Sequence, residues 1–159
     1  MKSGKIKFDP IENENNIYTY HDPCYLGRHN HVYDDPRDVL DAIPGMKRME
    51  MKRSRDRSFC CGGGGLMLFY EPKEDQRMGV KRVRMAAEAG ANVIVTACPF
   101  CMANIEDAIK VAGMEGKLTA IDLAELVDQQ IARERPDLPG QQIAETKEYV
   151  TALSREFGP

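Results

Sequence analysis

The sequence turns on residues 92–109, NVIVTACPFCMANIEDAI. Asn92 to Thr96 is a nearly continuous apolar, β-branched run, the composition of a strand covered on both faces of a parallel sheet. Cys98-Pro99 then opens a helix, because proline at the first helical position has no N–H to leave unsatisfied and a φ that is already helical. Met102, Ile105, Ile109 and Ala112 recur on one helical face, and Gly113 ends the helix. A strand therefore feeds a helix, with Cys98 and Cys101 at the junction.

Outward from this unit the alternation repeats. Residues 75–89 read as a helix with Met78, Val83, Ala86 and Ala87 inward and Gly90 as its stop. Leu118 to Ile121 is a short strand, and Asp122-Leu123-Ala124-Glu125 has the form of a capping box for a helix through about Ile131. Toward the start, Ile17 to Tyr20 is a β-prone run broken by His21-Asp22-Pro23-Cys24. Asp35-Pro36 is a helix start, Asp as cap and Pro as first helical residue, with Val39, Leu40 and Ile43 as the buried face and Pro44-Gly45 as the stop. Residues 46–52, MKRMEMK, alternate methionine imperfectly with charge and read as a further strand.

This alternation predicts an α/β fold, a small and mostly parallel sheet flanked by helices. Residues 1–15 are polar and aperiodic and read as a linker or appended end, and 16–133 as the domain. Residues 134–159, richer in charge and proline, read as a tail or an accessory helix built on Ile143, Val150 and Leu153.

With 159 residues, 42% of them apolar and 30% charged, the chain suits one folded domain. The net charge of −3 and the scatter of Lys and Arg argue against a nucleic-acid partner, since even the basic stretch 47–57 contains Glu50 and Asp56. No apolar run reaches the ~18–20 residues of a membrane span, and no secretory signal pattern is present. The expected location is the cytoplasm, or its membrane face through a partner. In that compartment cysteines serve more often as ligands or redox groups than as disulfides, and five thiols cannot all pair in one chain.

The cysteines follow the strands. Cys24 comes after the first, Cys60-Cys61 after the second and Cys98 after the third. The carboxyl ends of parallel strands share one edge, where ligands bind. Cys101 lies one turn beyond Cys98, on the same face. Five convergent thiols exceed the four ligands of a zinc ion. A polynuclear iron–sulfur cluster accommodates the adjacent pair better, each thiol reaching a different iron. The amides of Gly62, Gly63, Gly64 and Gly65 can turn toward the sulfurs, because glycine adopts the required φ without a Cβ clash.

Other readings stay open. Four of the five cysteines could hold zinc, in a module that docks a partner without redox activity. Cys98-Pro99-Phe100-Cys101 alone has the form of a redox dithiol. The glycine run lacks the Lys-Ser/Thr of a phosphate loop. His21 is either a donor to a sulfur or a polar turn residue near the surface, and His29 and His31 read as solvated loop residues.

The arrangement resembles the cysteine-rich CCG domain. Cys24 is followed after 35 residues by Cys60-Cys61-Gly62, and after 36 more by Cys98-Pro99-Phe100-Cys101. The flanks are similar too, His-Asp-Pro-Cys-Tyr-Leu-Gly-Arg at 21–28, Asp-Asp-Pro-Arg at 34–37 and Thr-Ala-Cys-Pro-Phe-Cys at 96–101. That family includes the B-type and D-type components of heterodisulfide reductase, the iron–sulfur component of glycolate oxidase and flavoprotein-linked iron–sulfur oxidoreductases. The resemblance implies that Cys24, Cys60, Cys61, Cys98 and Cys101 ligate a 4Fe–4S cluster, in heterodisulfide reductase a non-cubane one. It also implies partners that carry ferredoxin-like clusters or flavin. Family members usually carry two such motifs and this chain has one, so the resemblance implies a fragment or one half of a split protein.

Overall fold

In the computed structural model, residues 6–65, 67–70 and 72–131 are described. The expected 134–159 helix lies outside them. Three strands, β1 (Tyr18–Tyr20), β2 (Val93–Thr96) and β3 (Thr119–Asp122), form one parallel sheet in the order β1-β2-β3. Tyr18 pairs with Val93, and Val93 in turn with Thr119. Four helices flank the sheet: α1 (Asp34–Asp41), α2 (Met78–Glu88), α3 (Pro99–Val111) and α4 (Leu123–Gln130). The small parallel α/β fold expected from the alternation is the fold observed.

The central strand explains the layering. Ile94 joins a core with Val80, Val83 and Ala86 of α2 and Ile105, Ala108 and Ile109 of α3. Val93 and Val95 point the other way, to Leu40 and Ile43 at α1, Leu126 of α4, and Tyr18 and Tyr20. All four residues of β2 are buried, which accounts for its unbroken apolar run. Cys61 and Cys101 belong to the α2/α3 side.

Most of the expected helix signals hold. Cys98 caps α3 with Pro99 behind it, and Gly90 and Gly113 end their helices at φ +77° and +65°. The Asp122 carboxylate accepts a 2.7 Å bond from the Ala124 amide. Asp122→Ala is therefore expected to cost about 1 kcal/mol, read as a lowered urea midpoint at unchanged slope.

Three expectations are corrected. The 46–52 run forms no strand but a single parallel bridge, Tyr18 to Arg48, closed by Tyr18 N–H to Lys47 O and Met49 N–H to Tyr18 O, both 2.8 Å. Only Met51 of its methionines is fully buried and Met49 is 51% exposed, so alternation does not build a covered face. Helix α1 begins at Asp34, with Tyr33 as its cap, rather than at Pro36. Ala87 is exposed on α2, whose inward face adds Gly79, Val80 and Arg82 instead.

Within the 1–15 stretch, Phe8 bridges Ile131 antiparallel, Asp9 N–H donates to Gln130 O, and buried Ile11 donates its N–H to Pro44 O. No helix among the described residues is long and apolar enough to cross a membrane.

Candidate metal centre

The chain leaves β1 without losing its ladder. His21 N–H donates to Val95 O at 2.8 Å, and His21, Asp22 and Pro23 are buried before half-buried Cys24 starts a short π-helical turn, Tyr25–His29. Asp22 ties together three distant parts of the chain. Its carboxylate accepts two bonds from Arg37, at 2.6 and 3.0 Å, and one from the Arg55 amide at 2.8 Å. Arg37 also reaches Glu50 at 2.6 and 2.9 Å. Burial works against the Arg37 charge, but the bonds from Glu50 and Asp22 outweigh it and hold the guanidinium above its ordinary pKa.

This anchoring delivers the cysteine pair. Cys60 and Cys61 follow no regular strand. They reach the sheet edge through a 3₁₀ turn, Arg55–Arg57, fixed by the Asp22 bond to Arg55 and by Arg28 donating to Ser58 O. Asn104 of α3 donates to Cys61 O. The Gly62 amide donates to Cys60 Sγ and the Gly63 amide to Cys61 Sγ, each at 3.3 Å. Of the four glycine amides these two turn to sulfur, and positive φ falls at Gly62 and Gly65. Gly63 is needed for closeness instead, since a Cβ there would lie 2.7 Å from Phe100 O.

Two of the thiols are in direct contact, Cys61 Sγ lying 3.3 Å from Cys101 Sγ, and the Cys60 thiol interacts with those of Cys61 and Cys24. Cys101 is thus in contact with Cys61, a neighbour that a free Cys98–Cys101 dithiol does not call for. Cys98 is half-buried at the start of α3 and packs against the same core. The bond to Cys101 and burial push Cys61 up to about 12, and the contact with Cys61 and burial likewise raise Cys60. Crowded sulfurs of this kind ionise together only around a cation, and an all-sulfur donor set under glycine amides fits an iron–sulfur cluster.

One group near the sulfurs stood open in the sequence. His21 is 1% exposed, so its reading as a surface turn residue is corrected. A ring nitrogen of His21 lies within 4.8 Å of both Cys61 and Cys101 Sγ, and Nδ1 accepts a 3.0 Å bond from Arg82 Nε. Burial, then the Arg82 and Arg28 charges, lowers the imidazole to about 3, so the ring is neutral. No sequence signal marked Arg82, a charged residue on a helix that reads as surface. His29 and His31 are exposed, as expected. A cavity of about 410 Å³ opens beside Cys61 and Gly62, lined also by Met67, Tyr70, Arg77 and Asn104.

Known proteins are similar to this chain in sequence. The CCG family, described as a cysteine-rich domain, matches residues 18–106. A probable iron–sulfur-binding oxidoreductase, FadF, of Bacillus subtilis is 38% identical over 131 residues, which are 82% of this chain and 18% of that protein. The D-type component of the dihydromethanophenazine-linked heterodisulfide reductase of Methanosarcina barkeri is 41% identical over 128 residues, 80% of this chain and 30% of the relative. The EtfAB:quinone oxidoreductase of Syntrophomonas wolfei is 38% identical over 134 residues, 80% of this chain and 18% of the relative. The chain thus spans between 18% and 30% of the length of these relatives. No solved structure matches the chain.

Proposed function

The chain belongs to the CCG family of cysteine-rich domains, and from that membership we propose that it is an iron–sulfur electron-transfer domain of a larger, heterodisulfide reductase-like oxidoreductase. Cys24, Cys60, Cys61, Cys98 and Cys101 would hold a 4Fe–4S cluster. The observation that carries this reading is the pair of buried thiols, Cys61 and Cys101, in contact at 3.3 Å, with the Gly62 and Gly63 amides donating to the sulfurs of Cys60 and Cys61. The relatives' names, as iron–sulfur-binding and quinone- or heterodisulfide-linked oxidoreductases, support the same chemistry.

Such a cluster, when bound, supplies reversible one-electron storage. The chain's own residues do the rest. Cys61 and Cys101, both buried, hold the inner side and exclude water, while Cys24, Cys60 and Cys98 stand half-buried toward the surface. The Gly62 and Gly63 amides offset negative charge on sulfur. Tyr25 and Phe100, 78% and 67% exposed beside Cys24 and between Cys98 and Cys101, form an apolar rim on which a redox partner can dock. Such a partner would carry ferredoxin-like clusters or flavin, in the cytoplasm or at its membrane face.

The test is anaerobic reconstitution followed by iron analysis and electron paramagnetic resonance. About four irons per chain are expected, with less iron or an altered spectrum in Cys60→Ser and Cys61→Ser. The rival zinc reading draws on the tight His21, Cys61 and Cys101 group. Colourless protein with about one zinc per chain, or full iron and an unchanged spectrum in both serine variants, would overturn the cluster assignment.

A further inference from the structure

Two arginines are buried among the described residues, and they are treated differently. Arg37 is matched by the carboxylates of Asp22 and Glu50. Arg82 is 0% exposed and has no carboxylate within ion-pair distance among the described residues. Its Nε donates to His21 Nδ1 at 3.0 Å and its Nη1 to Arg53 O at 2.6 Å. Its Nη2 is buried with no partner. Asp22 and Glu50 are both bonded to Arg37, so Arg82 has no carboxylate of its own. A buried, unpaired guanidinium with an unmet donor is costly unless an anion completes it.

The direction in which Arg82 acts supplies the anion. Because Nδ1 of His21 accepts from Arg82, the ring proton sits on Nε2, which leaves that nitrogen as the donor. The ring lies within 4.8 Å of the sulfurs of Cys61 and Cys101. Asp22, then Cys61 and Glu50, are the nearby groups that favour the Arg82 charge. We infer that Arg82 and His21 form a buried arm behind the sulfur site, Arg82 as the counter-charge of an anionic cluster and His21, its tautomer fixed by Arg82, as an N–H donor to sulfur. Arg82 is a positioning and charge-balancing residue rather than a ligand.

The inference rests on the iron–sulfur reading and deepens it. A cluster gains negative charge on reduction, so a buried cation behind it favours the reduced form and raises the potential. Removing that cation lowers it. Arg82→Gln removes the charge while keeping a donor for His21, Arg82→Lys keeps the charge, and His21→Gln removes the imidazole while leaving the charge in place.

The experiment is a redox titration of the anaerobically reconstituted chain and its three variants, followed by electron paramagnetic resonance. Arg82→Gln is expected to shift the one-electron equilibrium toward the oxidised form by on the order of tenfold, about 59 mV more negative. Arg82→Lys is expected to stay near the parent, and His21→Gln to shift in the same direction as Arg82→Gln by less. If Arg82→Gln does not fold, His21→Gln carries the test. A parental midpoint in Arg82→Gln, or in His21→Gln where that variant carries the test, overturns the inference while leaving the iron–sulfur reading intact. A parent chain that takes up no iron overturns that reading, and this inference with it.

Discussion

Arg37→Ala is expected to lower the free energy of unfolding by about 3–5 kcal/mol. The side chains of Arg37 and Asp22 are 2% and 1% exposed, and Arg37 joins α1 to the turn after β1. Deleting it strands the Asp22 carboxylate in a site that water does not reach. Glu50, the second partner, has a side chain 36% exposed and rehydrates, so the loss centres on Asp22. Urea titration of the metal-free chain measures it, and a parental midpoint would show that the buried pair contributes nothing. The network also has a pH signature. Burial raises the Glu50 carboxyl, but the bond from Arg37 and the charges of Arg37 and Arg48 outweigh it and hold the group below its ordinary 4.5. A depressed acid contributes stability that is fully present above its unfolded pKa and is lost as pH falls through the folded one. The parent should therefore lose stability below about pH 4.5, and Arg37→Ala should lose less over the same window.

Gly63→Val is expected to disturb both the fold and the metal site. Its Cβ would stand 2.7 Å from the Phe100 carbonyl and 3.3 Å from Asn104 Cβ. A backbone oxygen cannot swing aside as a side-chain tip can, so the loop must move off α3. That motion withdraws the Gly63 amide from Cys61 Sγ. Overpacking of this kind costs about 1–3 kcal/mol. In iron-loaded protein it should also appear as faster loss of visible absorbance in the presence of a chelator. Gly64 provides the control, because a Cβ there meets nothing within 4 Å. Gly64→Ala should match the parent in both measurements. Parental values for Gly63→Val as well would reduce the loop to a connector.

What could be read in the sequence was local. β2, the Cys98-Pro99 start of α3, the Asp122 cap and the glycine stops each rest on a few adjacent residues whose conformational preferences agree. The rule that parallel strands end on one edge applies to Cys24 and Cys98, which follow β1 and β2, whereas Cys60 and Cys61 follow no strand and come after the turn that Asp22 anchors at Arg55. Tertiary compensation was not legible. Arg37 and Arg82 look like solvated helix residues until the chain brings them against Asp22 and His21. The burial of His21 depends on α2, sixty-one positions away in sequence. The 46–52 run had the right alternation for a strand, but ion pairs of Arg48 with Asp41 and Glu50 belong to a solvated edge. The need for a glycine at 63 has a cause that appears only once α3 is in place, the close approach of the Phe100 carbonyl.

The register of the sheet also sets a clock on the ribosome. Among the described residues β1 pairs with β2 and with the bridge at Arg48, so Tyr18 to Tyr20 wait for Val93 to Val95 before they have their main partner. Synthesis proceeds at about 5–20 residues per second, so the Cys24 thiol is out for on the order of ten seconds before Cys101 has been made. Cys60 and Cys61 emerge together in between, with no sheet edge to sit on. A nascent chain therefore offers incoming metal no more than a vicinal pair and a distant third thiol. Loading belongs to the finished domain, and any oxidant met before then finds those thiols unprotected.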